Sequence, residues 1–225
     1  MDLQNTLERG ARKENSAFIS KVFSLFGLSI LSTGVGVYVG FHYLLATFVA
    51  NPLIMYGLFA VELLLIIFSR AWSKTVPLNY FLFALFTFLS GVTVVPLIAS
   101  FAAEFGSFDI IYRALFSTTV MFIAMALLGY SIKKPLVGFS GFLLSALIGL
   151  VVVSIIGIFL PWGNTGEMIF AGAGVLIFSG YAMVDVNNLR HYPEDEYIQA
   201  AIQLYLDIFN LFIFILRLTG AVSRD

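Results

Sequence analysis

The sequence predicts an all-α membrane protein in which seven helices cross the bilayer as one bundle. Only 11% of its 225 residues are charged and 60% are hydrophobic, whereas a soluble domain carries about 25% charged residues. The apolar runs are long and lack the alternation that is typical of barrel strands. Because so much apolar surface cannot be buried in one soluble core of this size, the chain belongs in a membrane.

Seven apolar segments are long enough to be considered as spans, since about 20 apolar residues cross a bilayer core as a helix. Residues 1–19 form a tail, and residues 20–225 form a single transmembrane domain. Pro96 predicts a kink in the third segment, because proline removes a backbone donor from a helix interior. The segments are roughly 20–47, 51–69, 78–101, 110–131, 136–160, 165–187 and 197–220.

Lysine and arginine predict the orientation, since they are enriched in cytoplasmic loops. With a cytoplasmic N-terminus, three basic residues lie outside, namely Arg113, Arg217 and Arg224. Nine lie inside, namely Arg9, Arg12, Lys13, Lys21, Arg70, Lys74, Lys133, Lys134 and Arg190. Seven crossings then place the C-terminus outside. The polar residues of the last segment leave a second arrangement open, a re-entrant helix that returns the C-terminus to the cytoplasm.

Composition also excludes several classes of site. A net charge of −1 gives no indication of a nucleic-acid partner. The absence of cysteine excludes disulfides and thiolate metal sites. Gly172 and Gly174 in "AGAGVL" resemble a dinucleotide loop, but no strand precedes them. We therefore expect no cofactor.

Asp207 stands inside the apolar run "QLYLDIFNLFIFILRL". A charge near the bilayer centre costs about 2.5–3.5 kcal/mol even on the milder insertion scale. At about 100° per residue, the polar residues of this helix share one face. They are Gln199, Gln203, Asp207, Asn210 and Arg217. The stripe indicates a helix that lines a wet or protein-buried path, and the structural alternative is a hydrogen-bonded strut.

Two further acids lie inside predicted helices. Asp185 stands in "SGYAMVDVNNL", with Tyr181 one turn before it. An ideal hairpin centred near Pro193 leaves Asp185 and Asp207 mismatched in depth by roughly 9 Å, so spacing alone does not show a pair. Glu62 lies in "VELLLIIFSR", where Arg70 and Lys74 mark the cytoplasmic end; Arg70 could turn inward toward a carboxylate.

Four segments carry a resemblance to a known family: "YAMVDVNNL", "LYLDIFNLF", "LRLTG" and "SGVTVVPLI". They resemble the Bax inhibitor-1 family, also called the transmembrane Bax inhibitor motif family, and its short bacterial members in particular. The resemblance covers nearly the whole chain from about residue 20. It implies a seven-helix bundle with the C-terminal helix at its centre, in a bacterial inner membrane. It also implies a pH-sensitive calcium leak.

The resemblance assigns roles to individual residues. Asp185 and Asp207 match a pair of aspartates that gates the path and would bind calcium transiently. Glu62 matches an acidic position on the ion pathway, which Gln203 and Asn210 would also line. The family's arginine position falls on Ser73 in an ungapped register, and Arg70, one turn earlier, is our candidate for the ion pair of the closed state.

Two close carboxylates in a low dielectric cannot both ionise cheaply, so they titrate as a unit. Calcium prefers six to eight oxygen ligands. Three acids and some amides cannot form a tight cage, which favours passage over storage.

Other functions remain open. Two intramembrane aspartates are also typical of an intramembrane aspartyl protease, whose dyad shares a proton. Those proteases carry a Gly-x-Gly-Asp motif, which neither aspartate has here, and we expect no enzyme. A non-conducting regulator that binds other membrane proteins, such as a membrane protease, is the stronger alternative. We expect a monomer.

Overall fold

The computed structural model describes the backbone of residues 2–224 and the side chains of residues 15–136 and 138–224. The described chain is helical apart from short connections. The helices are α1 (Asp2–Val39), a π-helical turn (Gly40–Leu44), α2 (Leu45–Ala50), α3 (Pro52–Ile67), α4 (Ser69–Trp72), α5 (Leu78–Thr93), α6 (Val95–Phe105), α7 (Asp109–Ser131), α8 (Val137–Phe159), α9 (Asn164–Asn188), two 3₁₀ turns (Leu189–His191 and Glu194–Glu196) and α10 (Tyr197–Ser223).

The all-α class is confirmed, and the chain is a multi-pass membrane protein. Among the described residues, six helical segments are long and apolar enough to cross a membrane: Asn15–Ala50, Leu78–Phe105, Asp109–Ser131, Gly138–Phe159, Asn164–His191 and Glu194–Ser223. The second predicted segment is the shorter apolar helix α3, with 16 residues. Its length is about 24 Å against a hydrocarbon core of about 30 Å. Seven crossings therefore stay a prediction.

Two helix boundaries follow from prolines. α3 begins at Pro52, and the preceding Asn51 accepts a hydrogen bond from the Leu53 amide at 3.2 Å, as expected for an N-cap followed by proline at the first helical position. The third predicted segment is interrupted at Val94, so α5 and α6 are separate helices and Pro96 lies in the first turn of α6. The interruption stands where Pro96 predicts a kink.

The chain divides into two compact units. The first comprises Met1–Ile98 and Leu189–Tyr205, and the second comprises Ala99–Asn188 and Leu206–Asp225. The predicted tail, residues 1–19, falls in the first unit and is helical from Asp2. The side chains of its basic residues Arg9, Arg12 and Lys13 lie outside the described residues.

In the first unit, α1 packs closely on α5 through small residues. A methyl group on Gly36 would stand 2.1 Å from the Phe88 carbonyl oxygen, and one on Gly91 would stand 2.1 Å from the Thr33 carbonyl oxygen. The Thr33 hydroxyl donates to the Thr87 carbonyl at 3.0 Å. Small residues let helix backbones approach and let hydroxyls bond across the contact.

In the second unit, α9 packs against α7 and α8. A methyl group on Gly129 of α7 would stand 2.0 Å from the Met183 carbonyl oxygen of α9. Asn187, 1% exposed, donates to the carbonyls of Gly129 and Ile132 and accepts from the Leu136 amide. One side chain thus satisfies backbone groups at the end of α7 and before α8.

Candidate functional site

The second unit brings Asp185 of α9 and Asp207 of α10 together. Their carboxyl groups approach within hydrogen-bonding reach of each other. Because an ionised carboxylate only accepts hydrogen bonds, a hydrogen bond between them requires that one of the two groups is protonated. The depth mismatch of an ideal hairpin does not apply, since residues 189–196 form two short 3₁₀ turns rather than extensions of α9 and α10.

Burial makes this pair a candidate site rather than a surface contact. Asp207 is 4% exposed, and its Oδ2 atom is buried without a hydrogen-bond partner among the described residues. Tyr181, one turn before Asp185, is close enough to interact electrostatically with both carboxyl groups. A buried polar atom without a partner is costly, so the Asp207 carboxyl is a candidate for a functional group.

Glu62 forms a separate polar site in the first unit. It is 6% exposed and accepts hydrogen bonds from two hydroxyls of α5. Ser90 donates to Oε1 at 2.5 Å, and Thr93 donates to Oε2 at 2.8 Å. Both carboxyl oxygens are therefore satisfied within the bundle, in contrast to Oδ2 of Asp207.

Sequence reasoning missed Tyr205, which lies fully buried in the first unit. Its hydroxyl is 2.8 Å from the Thr33 hydroxyl, and its ring packs edge-on against Phe86 at 5.4 Å. Tyr205 is two residues from Asp207, so it points about 200° away from the polar stripe of α10. The signal that could have identified it is a tyrosine inside an apolar helix, because a buried phenol needs a hydrogen-bond partner.

The two amides predicted to line a pathway are half-buried. Gln203 accepts a hydrogen bond from the Tyr192 hydroxyl. Asn210 donates to the Leu206 carbonyl of its own helix at 2.8 Å. Neither contact tests a role in ion passage, which stays a prediction.

The predicted partner of the aspartates, Arg70, is exposed. It forms no ion pair within the part of the chain that the structure describes. The helical register that placed it near Glu62 is interrupted at Phe68, where α3 ends and the one-turn helix α4 begins. Pairing of Arg70, in the first unit, with Asp185 and Asp207, in the second unit, stays a prediction.

Lys74 has partners of its own in the connection before α10. Its ammonium group lies 2.7 Å from Asp195 and 3.2 Å from Glu196. These hydrogen bonds raise the pKa of Lys74 above its usual value.

The donor set does not resemble a tight metal site. Nowhere in the described part of the chain do three or more histidine, cysteine, aspartate or glutamate side chains converge. Asp185 and Asp207 together offer four carboxyl oxygens. A calcium ion, which takes six to eight oxygens, would have to keep much of its water shell here.

Comparison with known proteins gives matches over nearly the whole chain. Residues 15–224 match the family described as "Inhibitor of apoptosis-promoting Bax1". Bax inhibitor 1 of Schizosaccharomyces pombe is 30% identical over 220 residues, which cover 96% of this chain and 80% of that protein. An uncharacterized protein of Campylobacter jejuni is 34% identical over 212 residues, covering 94% and 91%. Protein LIFEGUARD 4 of Arabidopsis thaliana is 33% identical over 215 residues, covering 92% and 85%.

Proposed function

The chain belongs to the Bax inhibitor-1 family, and from that premise we propose that it is a pH-sensitive calcium leak channel gated by Asp185 and Asp207. The observation that carries the proposal is the close approach of two carboxyl groups, the buried Asp207 and the half-buried Asp185, on two helices that are each long enough to cross a membrane. Ionisable groups inside a membrane are costly, and they mark ion pathways and proton relays.

The shared proton is what makes the pair a gate. With one proton, the carboxyl of one aspartate donates to the carboxylate of the other, and this charge-assisted bond joins α9 to α10. Without that proton, two like charges face each other in a low dielectric and repel. With a second proton, the bond loses its charge. The stability of the closed contact therefore depends on pH, and the two groups titrate as a unit.

The same chemistry supports passage of calcium rather than storage. Oδ2 of Asp207, buried and unpartnered, is available to a cation that arrives with most of its water shell. Two carboxylates provide attraction without the full set of ligands that a stable calcium site needs. Glu62, Gln203 and Asn210 are the further side chains that we assign to the pathway.

We also propose seven crossings around α10, with the N-terminus in the cytoplasm of a bacterial cell. The short α3 would be the second crossing, and tilt or local bilayer thinning would accommodate its length. Nine of the twelve basic residues then lie on the cytoplasmic side.

The function is tested with purified protein in vesicles loaded with a calcium-sensitive dye. We expect calcium entry above that of protein-free vesicles, with a rate that changes across a pH series. Lys74→Gln provides a matched control, because it removes a charge from an exposed ion pair outside the bundle. Calcium entry at the protein-free rate at every pH would overturn the proposal and favour a non-conducting regulator that acts by binding other membrane proteins.

A further inference from the structure

A row of side-chain contacts joins α9 to α10 in the second unit. Along α9 it comprises Glu167, Phe170, Gly174, Phe178 and Asp185, which repeat every three or four residues except across one gap of seven. Along α10 it comprises Asp207, Phe214 and Arg217, with the same periodicity. The carboxyl pair is one end of this row, and an ion pair is the other.

The ion pair has the geometry of a fixed contact. Arg217 Nε lies 2.6 Å from Glu167 Oε1, and Arg217 Nη2 lies 3.0 Å from Oε2. The indole N–H of Trp162 donates to Oε2 at 3.3 Å, and the guanidinium carbon of Arg217 lies 4.8 Å from the Phe170 ring centroid. A bidentate pair with a third donor and an aromatic face permits little rotation of the arginine.

Between the two polar contacts, the ring of Phe214 packs against Gly174. A methyl group on Gly174 would stand 2.1 Å from Phe214 Cδ1 and 2.3 Å from Cγ. Phe170 and Phe178 flank the ring, with centroids 5.6 Å and 5.5 Å away. Because rings on both sides prevent a sideways shift, only a residue without a side chain fits beneath Phe214.

We propose that Glu167, Arg217, Gly174 and Phe214 form a clamp that sets the register of α10 on α9 and so places Asp207 against Asp185. These are positioning residues. A change of register by one residue replaces each contacting side chain of α10 by its neighbour in sequence. That neighbour lies about 1.5 Å along the helix axis and about 100° around it. Such a shift removes a hydrogen bond between short aspartate side chains.

The chain itself offers a matched pair of glycines for the test. A methyl group on Gly172, two residues from Gly174 on α9, would meet nothing within 4 Å. The readout does not depend on calcium: Asp185→Cys and Asp207→Cys are introduced into the naturally cysteine-free chain and bridged with thiol-reactive reagents of graded length. The cysteines also replace both carboxyl groups, so bridging does not depend on the contact between them.

We expect Gly174→Ala to abolish bridging by the shortest reagent that bridges the parent pair, and Gly172→Ala to leave bridging unchanged. Adding Phe214→Leu to Gly174→Ala makes room for the methyl group and should restore bridging. Equal bridging in both alanine variants, each eluting as a single species in detergent, would overturn the proposal. So would failure of Phe214→Leu to restore bridging in a folded double variant.

The ion pair provides an independent test if Gly174→Ala does not fold. Glu167→Gln leaves Arg217 without its bidentate partner, and we expect loss of bridging by the shortest reagent. Glu104→Gln is the control, because Glu104 also forms a bidentate pair, with Arg224 at 2.5 and 2.7 Å, but lies on α6. Loss of bridging in both variants, or in neither, would overturn the role of Glu167 in the clamp.

A second readout rests on the proposed function. With the native aspartates present, Gly174→Ala should flatten the pH response of calcium entry, and Gly172→Ala should not. A change in bridging without any pH-dependent calcium entry in the parent would leave the clamp standing and reject the channel. An unchanged pH response in a Gly174→Ala variant that has lost bridging would reject the link between the clamp and the gate.

Discussion

At the scale of single residues, the buried acids of the two units differ in how their oxygens are satisfied. Glu62 has a hydroxyl donor on each oxygen, whereas Oδ2 of Asp207 has no hydrogen-bond partner among the described residues. A fully satisfied polar group contributes to stability, and an incompletely satisfied one costs free energy. We therefore expect Glu62 to contribute to the stability of the fold in addition to its proposed place on the pathway.

We expect Ser90→Ala to lower the free energy of unfolding by about 1–3 kcal/mol, because it leaves Oε1 of the buried Glu62 without its donor. Denaturant titration of the protein in detergent micelles measures the change. Ser145→Ala is the control, since the Ser145 hydroxyl is exposed and bonds only to its own helix. A loss of stability of the same size in both variants would contradict this account of Glu62.

The residue scale also shows what the sequence could and could not predict. Asp207 was identified because one charge in an apolar run is costly, and its partner Asp185 was suggested by family resemblance rather than by spacing. Tyr205 was missed because it stands on the other face of α10. The position of Arg70 relative to Glu62 is predicted from a helical period that does not continue through Phe68. No local sequence pattern indicates such a break.

At the scale of helices, glycines determine which pairs approach closely. On α1, a methyl group on Gly36 would collide with backbone of α5, whereas one on Gly34 would meet nothing within 4 Å. Gly40, four residues after Gly36, is also close to its neighbours, since a methyl group there would stand 2.6 Å from Val95 and 3.3 Å from Val92. The partner helix could not be predicted, because small residues give no indication of which surface covers them.

We expect Gly36→Ala to lower the free energy of unfolding by about 1–3 kcal/mol, the usual cost of overpacking a well-packed contact. Gly34→Ala should leave stability unchanged or raise it slightly, because alanine favours the helix. The same denaturant titration compares the two. Equal stability of the two variants would mean that the contact between α1 and α5 is looser than described.

A second prediction at this scale concerns the cap between α7 and α8. Asn187→Ala removes three hydrogen bonds to backbone groups of Gly129, Ile132 and Leu136, and we expect a loss of about 1–3 kcal/mol. Asn188→Ala changes the half-buried neighbour and serves as the control. Hydrogen exchange should localise the loss of protection to the residues around 129–136; protection unchanged there would contradict the cap.

At the scale of the whole molecule, the number of crossings depends on the second apolar segment. Composition predicts the membrane class and the helices, and six long spans stand within the described residues where apolar runs predict them. The second predicted segment is longer than the helix α3 that the structure shows, because the apolar run continues through Phe68 while the helix does not. Hydropathy measures length along the sequence and does not register such a break.

We expect Gly10→Cys and Ser223→Cys, introduced separately, to be labelled from opposite sides of the membrane. Seven crossings require this result, and the cysteine-free parent provides the unlabelled control. An impermeant thiol reagent applied to intact cells and to inverted vesicles distinguishes the two sides. Labelling of both positions from one side would mean an even number of crossings and would exclude α3 or α10 as a full span.

The central claim is that the proton shared by Asp185 and Asp207 controls calcium entry, and the pH profile of Asp207→Asn tests it most directly. An amide keeps the shape of the carboxyl group but cannot titrate near neutral pH. We expect an altered rate and a flat pH profile, the same for Asp185→Asn, and little further change in the double variant, because coupled groups are not additive. Single variants that retain the parent's pH profile would contradict the gate and leave the two carboxyl groups as packing contacts.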